Sequence, residues 1–408
     1  MRMVRLRSLL QSWDAGSWGE PATDDSGVFV LRSTNFKEGG QLSFENQAVL
    51  AIDEKTLAKK RLNPGDILLE RSGGGPLQPV GRVAGFWGRE PQEKFICGNF
   101  ISRLVPKKES TDSLYLMYAL LYLHVSGETE KFQTATTGIR NLQMRQYLES
   151  ELLMPLEVKK QRRIAARLKA QLAEVEKTKQ AAKTQWRDFS VLKSKALEAL
   201  FSGIDRWVPI GSAARLQSGY AFKSDTFKSM GVRLLRNANI VPGKVYWDDV
   251  VFLSEQDACA YPSYTLSDGD VLISLDRPII SSGVKVARVV SDDLPALLVQ
   301  RVGRFLVDPE KLDADYLYAF LQTDMFISNI SGHDQSLGVP HISPSQVESI
   351  QMPLPDVSVQ RELSMKMGEV LSAWQTAAIA MQSQIDDLSK LPSAILAQAF
   401  SPHEPSFA

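Results

Sequence analysis

A guanidinium and a carboxamide three residues apart occur twice, in Arg32-Ser33-Thr34-Asn35 and in Arg236-Asn237-Ala238-Asn239. In the major groove of a DNA duplex, Arg forks onto guanine and Asn onto adenine. The same pair can also do humbler work. Asn at a strand end closes turns through its own side chain, and most protein–DNA hydrogen bonds go to phosphate and sugar. Phosphate contact or turn building therefore ranks ahead of base reading for Arg32, Asn35, Arg236 and Asn239. The run Arg71-Ser72-Gly73-Gly74 suits an anion best, because Gly lets backbone N–H groups approach it and Arg adds charge. Arg277 is its counterpart later in the chain. Two polar loops, Thr134–Asn141 and His333–His341, carry further hydrogen-bonding candidates in Arg140, Asn141, Gln335 and His341. Gly65-Asp66 and Gly269-Asp270 precede apolar runs and read as turn formers.

Other chemistries lack their residues. The four histidines (His124, His333, His341, His403) and two cysteines (Cys97, Cys259) are scattered, with no metal-ligand spacing. Ser72-Gly73-Gly74-Gly75-Pro76 is Gly-rich but lacks the Lys and the helix start of a phosphate-binding loop. There is no Gly-x-Ser-x-Gly elbow, and neither Asn-Pro-Pro-Tyr nor Asp-Pro-Pro-Tyr occurs. Asp248-Asp249 and Asp292-Asp293 read as solvated turns. The expectation is a chain without a catalytic site, metal or cofactor of its own.

The 408 residues are 44% hydrophobic and 23% charged, ordinary for a globular protein of two or more domains. No apolar run reaches the roughly 18 residues of a membrane span, and the basic N-terminus has no signal-peptide core. Two unrelated cysteines fit a reducing cytoplasm. Lys plus Arg equals Asp plus Glu at 47 each. A freestanding DNA binder is usually basic, so any such affinity here is local or shared with partners.

The elements that position these residues are written twice. At a shift falling from 204 to 199, Leu31–Asn35 faces Leu235–Asn239 and Pro64–Leu68 faces Asp268–Leu272. Arg82-Val83-Ala84 faces Lys285-Val286-Ala287, Tyr118–Leu121 faces Tyr318–Leu321, and Gly138 faces Gly338. Leu153–Leu156 faces Gln351–Leu354, Gln161-Arg162 faces Gln360-Arg361, and Phe201-Ser202 faces Phe400-Ser401. A period this long is a repeated domain with its tail. Each copy predicts short strands (Val28–Leu31, Ile67–Leu69, Gly81–Ala84; Val232–Leu235, Val271–Leu275, Val284–Ala287), then a helix (Leu114–Leu121; Tyr316–Leu321).

After each copy the composition changes. Gln161–Phe201 has neither Pro nor Gly, and Leu168, Leu172, Val175, Ala182, Trp186, Phe189, Ala196 and Leu200 recur at steps of four and three, with Lys179 and Lys193 on the same stripe. Leu363, Met367, Val370, Trp374, Ala377, Met381, Leu388, Leu391 and Ile395 repeat the pattern, interrupted by Gln384. Such seams pack helix on helix, and about 40 residues give roughly 60 Å of helix. Pro392 should bend or end the second helix. Chain order makes the pair antiparallel. The first helix is basic, with 12 Lys and Arg against four acids between Glu157 and Lys195.

In their duplicated order these motifs resemble the specificity subunits of type I restriction–modification systems. The resemblance rests on Arg32–Asn35, Gly65–Leu68, Met154-Pro155-Leu156 and Gln161–Ile164, and on Arg236–Asn239, Gly269–Leu272, Met352–Pro355 and Gln360–Leu363. It covers essentially the whole chain. It implies an α+β fold with two similar α/β target-recognition domains (1–156 and 204–355). Each is followed by a long helix (157–203 and 356–408), the two packed as an antiparallel coiled coil with pseudo-twofold symmetry. It further implies that each domain reads one half of a bipartite double-stranded DNA site. The helices would set the spacing and dock two methyltransferase subunits, and restriction or translocase subunits would join them. S-adenosylmethionine, ATP and Mg would be bound by those partners. Met-Pro-Leu-Glu in the first copy departs from the family's Pro-Leu-Pro, and Leu275-Asp276-Arg277-Pro278 departs from the Arg-Ser-Gly turn. The two readers should therefore recognise unlike half-sites. An adaptor of another defence complex and a two-domain enzyme with an unrecognised site are the competing readings.

Overall fold

The computed structural model describes residues 1–22, 27–75, 78–89, 93–136, 138–280, 283–331 and 341–401. It is a mixed α and β structure with a long helix, Val357–Phe400, near its C-terminal end and another, Val158–Ala199, at mid-chain. Two compact units form, Met1–Lys183 with Gln382–Ala408, and Thr184–Met381, so each includes part of both long helices.

In the first unit a four-stranded antiparallel sheet runs in the order Val83–Phe86, Asp66–Glu70, Ile101–Pro106, Leu10–Ala15. Asp66–Glu70 is buried along its whole length, as a central apolar strand must be. Its start is fixed by the turn predicted from sequence: Gly65 has φ +98°, and Asp66 Oδ2 accepts from Asn63 N at 2.9 Å. Burial pushes the Asp66 carboxyl up from its ordinary range. A second sheet sets Phe95–Cys97 parallel to Val28–Leu31 and Ala48–Ala51 antiparallel to it. Cys97 is a buried free thiol whose desolvation raises its pKa to about 12, so it behaves as a small apolar residue.

The second unit has an antiparallel sheet in the order Ala214–Ser218, Val302–Val307, Val271–Ser274, Val286–Arg288. Beside it Val232–Leu235 pairs in parallel with Ala296–Leu298. Gly269 has φ +82°, and Asp270 Oδ2 accepts from Ser267 N at 2.9 Å.

The Gln-Arg pairs explain how each globular portion grips the start of a long helix. Gln161 is buried; its Oε1 accepts from Asp112 N at 2.8 Å, and its Nε2 donates to Ser110 O at 3.0 Å and Pro155 O at 2.9 Å. Gln360 makes the same three bonds to Asp313 N, Lys311 O and Pro355 O, each at 2.8 Å. Asp112 and Asp313 cap the helices Ser113–Val125 and Ala314–Phe320. One buried carboxamide thus ties a helix cap, a loop and the strand exit to the long helix.

Most residues of the apolar stripes are buried or half-buried. In the first unit Leu168 joins Leu396, Phe400 and Tyr115 in one core. Lys179 keeps its stem buried and delivers its ammonium to the exposed Glu38 at 2.9 Å, which is how a lysine sits on an apolar seam. In the second unit Trp186 and Trp374 lie 6.1 Å apart, with Lys193 Nζ 4.7 Å above the Trp374 ring. The stripe predicted at a strict seven-residue repeat drifts. Ser194 and Leu197 are the buried residues rather than Lys193 and Ala196, and Ala378 is buried rather than Ala377. A straight helix turns about 20° per heptad relative to that repeat, enough to shift the buried face by one residue. Pro392 does not end the second helix, which continues to Phe400. Leu396 and Phe400 anchor the last turns in the core, while Leu391 beside the proline is exposed.

Candidate nucleic-acid interface

The two Arg-x-x-Asn segments build the same turn. Asn35 Oδ1 accepts from Arg32 N at 2.8 Å, and Nδ2 donates to Ser43 O at 3.1 Å and Glu45 O at 3.0 Å. Asn239 Oδ1 accepts from Arg236 N, and Nδ2 donates to Tyr246 O and Asp249 O, all at 3.1 Å. Both amide hydrogens are spent inside the protein, and the two asparagines are 2% and 1% exposed. Of the roles open to Asn35 and Asn239, DNA contact or turn building, these bonds are those of turn anchors. Arg32 Nη2 donates to Asn46 O at 2.5 Å, and Arg236 Nη2 to Asp249 O at 2.5 Å, with an ion pair to Asp249 Oδ2 at 2.9 Å. Both guanidiniums are thereby turned toward the loop that they close.

Beneath these turns the two units differ. In the first, Arg82 forms a bidentate pair with buried Glu70 at 2.7 and 2.8 Å and donates to Ser33 O at 3.2 Å. In the second, Ser274 and Lys285 take those places. Ser274 Oγ bonds to Asn237 Oδ1, and Lys285 Nζ donates to Asn237 O at 2.7 Å. Lys285 makes no ion pair among the described residues, and desolvation, only partly offset by the charge of Asp276, lowers its pKa.

The predicted anion loop and the first polar loop come together in one small sheet. Gln133–Thr136 and Ile139–Leu142 form a hairpin, and the second strand pairs with Ser72–Gly74. Asn141 sits opposite Ser72, whose Oγ donates to Asn141 Oδ1 at 2.6 Å. Arg71 Nε and Nη2 donate to Asn99 O at 3.2 and 3.1 Å, and Arg140 pairs with Glu130 at 3.4 Å. Gly73 is exposed at φ +105°, a conformation that no side chain adopts comfortably. Five of the predicted residues thus occupy one rim: Arg71, Ser72, Gly73, Arg140 and Asn141. Next to it lies a cavity of about 340 Å³ lined by Trp18, Arg32, Asn99 and Phe100 among others. Trp18 is 49% and Phe100 55% exposed. Neither was singled out from the sequence, because a lone aromatic residue carries no signal of whether it packs inward or faces solvent.

In the second unit Asp276 bridges to His341 as Ser72 does to Asn141. A carboxylate can only accept, so the His341 Nδ1–H donates to Asp276 Oδ1. Arg301 joins them, its Nη1 donating to the same Oδ1 at 3.2 Å, with the imidazole 3.3 Å away. Arg277 is exposed in a left-handed conformation, φ +46°, and forms no hydrogen bond or ion pair among the described residues. Gln335 lies outside the described residues. Arg301 also went unpredicted. It occupies the place of Phe100: Phe100 O accepts from Arg71 N and Arg301 O from Leu275 N, each at 2.9 Å.

Among the described residues no three His, Cys, Asp or Glu side chains gather as a metal site, and no helix is long and apolar enough to cross a membrane.

No family model matches the chain. It is 43% identical over 165 residues to the type I restriction enzyme EcoAI specificity subunit of Escherichia coli, a match covering 40% of this chain and 28% of that protein. It is 29% identical over 295 residues to the MjaVIII specificity subunit of Methanocaldococcus jannaschii, covering 68% of each. The chain therefore spans less than a third of the first relative and about two thirds of the second. A chain from a structural study of the assembly of a type I R-M system superposes with a TM-score of 0.73 over 97% of this chain and 96% of that one, at 16% identity. The HsdS subunit of Thermoanaerobacter tengcongensis gives 0.55 over 98% and 96%, also at 16%. At that identity these likenesses establish the fold.

Proposed function

We infer that this chain belongs to the family of type I restriction specificity subunits and is the DNA sequence-recognition subunit of such a complex. Each globular portion reads one half of an asymmetric bipartite double-stranded site, with the Arg71–Asn141 rim serving the first half and the Arg277–His341 rim the second. The long helices pack as an antiparallel coiled coil, the internal repeat making them pseudo-twofold equivalents. They set the gap between half-sites and dock two methyltransferase subunits. Methyl transfer from S-adenosylmethionine and ATP- and Mg-dependent restriction belong to partner subunits, and this chain is not itself an enzyme. The observation that carries the reading is the likeness of fold over nearly the whole length of a type I R-M chain.

Physical arguments support it. Rigid readers at a fixed separation convert two weak half-site contacts into one specific one, as dimeric readers do. A net charge of zero fits a subunit that borrows non-specific affinity from its partners, with the basic first helix as the local exception. The test is reconstitution. Co-expressed with a type I methyltransferase subunit from the same source, the chain should form a complex that footprints two short blocks separated by a constant gap. A methyltransferase that methylates the same sites without this chain would overturn the reading.

A further inference from the structure

We propose that Arg301 is a base-reading residue of the second unit and that it selects guanine. The proposal rests on the recognition function above and names the chemistry of one of its two rims.

Four observations carry it. Arg301 stands at the end of a turn in the left-handed region, φ +74°, which a non-glycine residue occupies only where the surroundings hold it. Its side chain is 49% exposed, so the guanidinium is at the surface rather than in the core. One edge of that guanidinium is pinned: Nη1 bonds to Asp276 Oδ1, and the same oxygen is held by the Nδ1–H of His341. Along the other edge, Nε and Nη2 have no hydrogen-bond partner among the described residues. Two parallel donors on a pre-oriented fork match the O6 and N7 acceptors of guanine, and no other base presents that pair.

The pinning removes a cost. A free arginine loses much of its rotamer freedom on docking, whereas one already held by a carboxylate loses less. The anchoring carboxylate has a second effect: Asp276, held in place by His341, would repel a phosphate or a base acceptor placed at its own position. That opposes use of the site as a general phosphate clamp. Arg277, whose guanidinium has no hydrogen-bond or ion-pair partner among the described residues, remains the phosphate contact of this rim. The first unit has Phe100 in the place of Arg301, so a guanine selected in this way belongs to one half-site alone.

The experiment uses the chain co-expressed with its methyltransferase and reads the methylated motif by sequencing that reports modified bases. Arg301→Lys keeps the charge and the fold but cannot fork. It should relax one G·C position of one half-site, raising methylation of sites with another base there about 10- to 100-fold, the range for a bidentate pair, with the other half-site unchanged. Arg301→Ala should relax the same position and lower occupancy of all sites. Asp276→Asn, which loosens the pin while leaving the fork, should relax that position partially. If the wild-type complex gives a two-block motif and Arg301→Lys leaves every position as selective as before, the assignment to Arg301 is overturned and the recognition function stands. If the wild type gives no two-block motif, both fall.

Discussion

The two units share a frame and differ at its rim. Each uses a Gly-Asp turn, an Arg-x-x-Asn turn with a fully bonded asparagine, and a buried Gln that locks the long helix to a helix cap. On that common frame, the first unit presents a neutral Ser72–Asn141 pair with an exposed phenylalanine, Phe100. The second presents a carboxylate, an imidazole and an arginine at the corresponding places. Hydrogen bonds spent on backbone recur in both units, whereas side chains facing outward diverge. Under the proposed function that contrast is what lets one scaffold read two unlike half-sites.

The largest expected effects test the shared part. Gln161→Ala leaves Ser110 O, Pro155 O and Asp112 N–H without their partner, and Gln360→Ala does the same in the second unit. Each should cost about 3 kcal/mol of stability, read by denaturant unfolding. Unequal losses would break the equivalence of the frames. Next comes the layer under the turns, where the units differ. Glu70→Gln breaks a buried bidentate pair and should cost about 2 kcal/mol, less than the roughly 3–5 kcal/mol of a fully buried pair because Arg82 remains partly exposed. Ser274→Ala at the matching place removes only a hydroxyl and should cost about 1 kcal/mol.

A pH scan separates the units further. Burial holds the His124 pKa in the first unit below the ordinary 6.5. Below 6.5 the unfolded chain binds a proton that the folded unit resists, so stability falls as pH drops from 6.5 toward the folded pKa. Thermal unfolding of wild type should show this slope, and His124→Gln should flatten it; an unchanged slope would mean that another group carries it. The smallest effects concern phosphate. Arg71→Ala and Arg277→Ala should each weaken DNA binding across all sequences and lower the salt slope by about 1. A loss confined to particular sequences would move either residue from phosphate contact to base reading.

Much of the frame was legible in the sequence because it rests on strong local signals. Val28–Leu31 and Val232–Leu235 are strands at the predicted bounds, and the long Pro- and Gly-poor segment is helix from Val158 to Ala199. The rim was only half legible. Arg71, Ser72 and Asn141 stand out in the sequence as part of a Gly-rich basic run and a polar loop, and the fold places them together. For Asn35 and Asn239 the sequence leaves turn building and DNA contact both open, because residue type does not reveal whether an amide's donors point inward. Arg301 and Phe100 carry no local signal. Their importance comes from a turn that sets both beside residues far away in sequence, and only comparison of the two hydrogen-bond patterns finds them. The stripe misplacement at Leu197 and the unbroken helix at Pro392 reflect tertiary packing overriding a periodic pattern and a propensity.

The central claim is that this chain selects DNA sequence for a modification complex, and the most direct test is the methylome of the source cell with and without its gene. The account predicts that deletion erases one modified motif made of two unlike short blocks at a fixed gap, and that restoring the gene restores it. An unchanged methylome, with the gene expressed beside an intact methyltransferase, would contradict it.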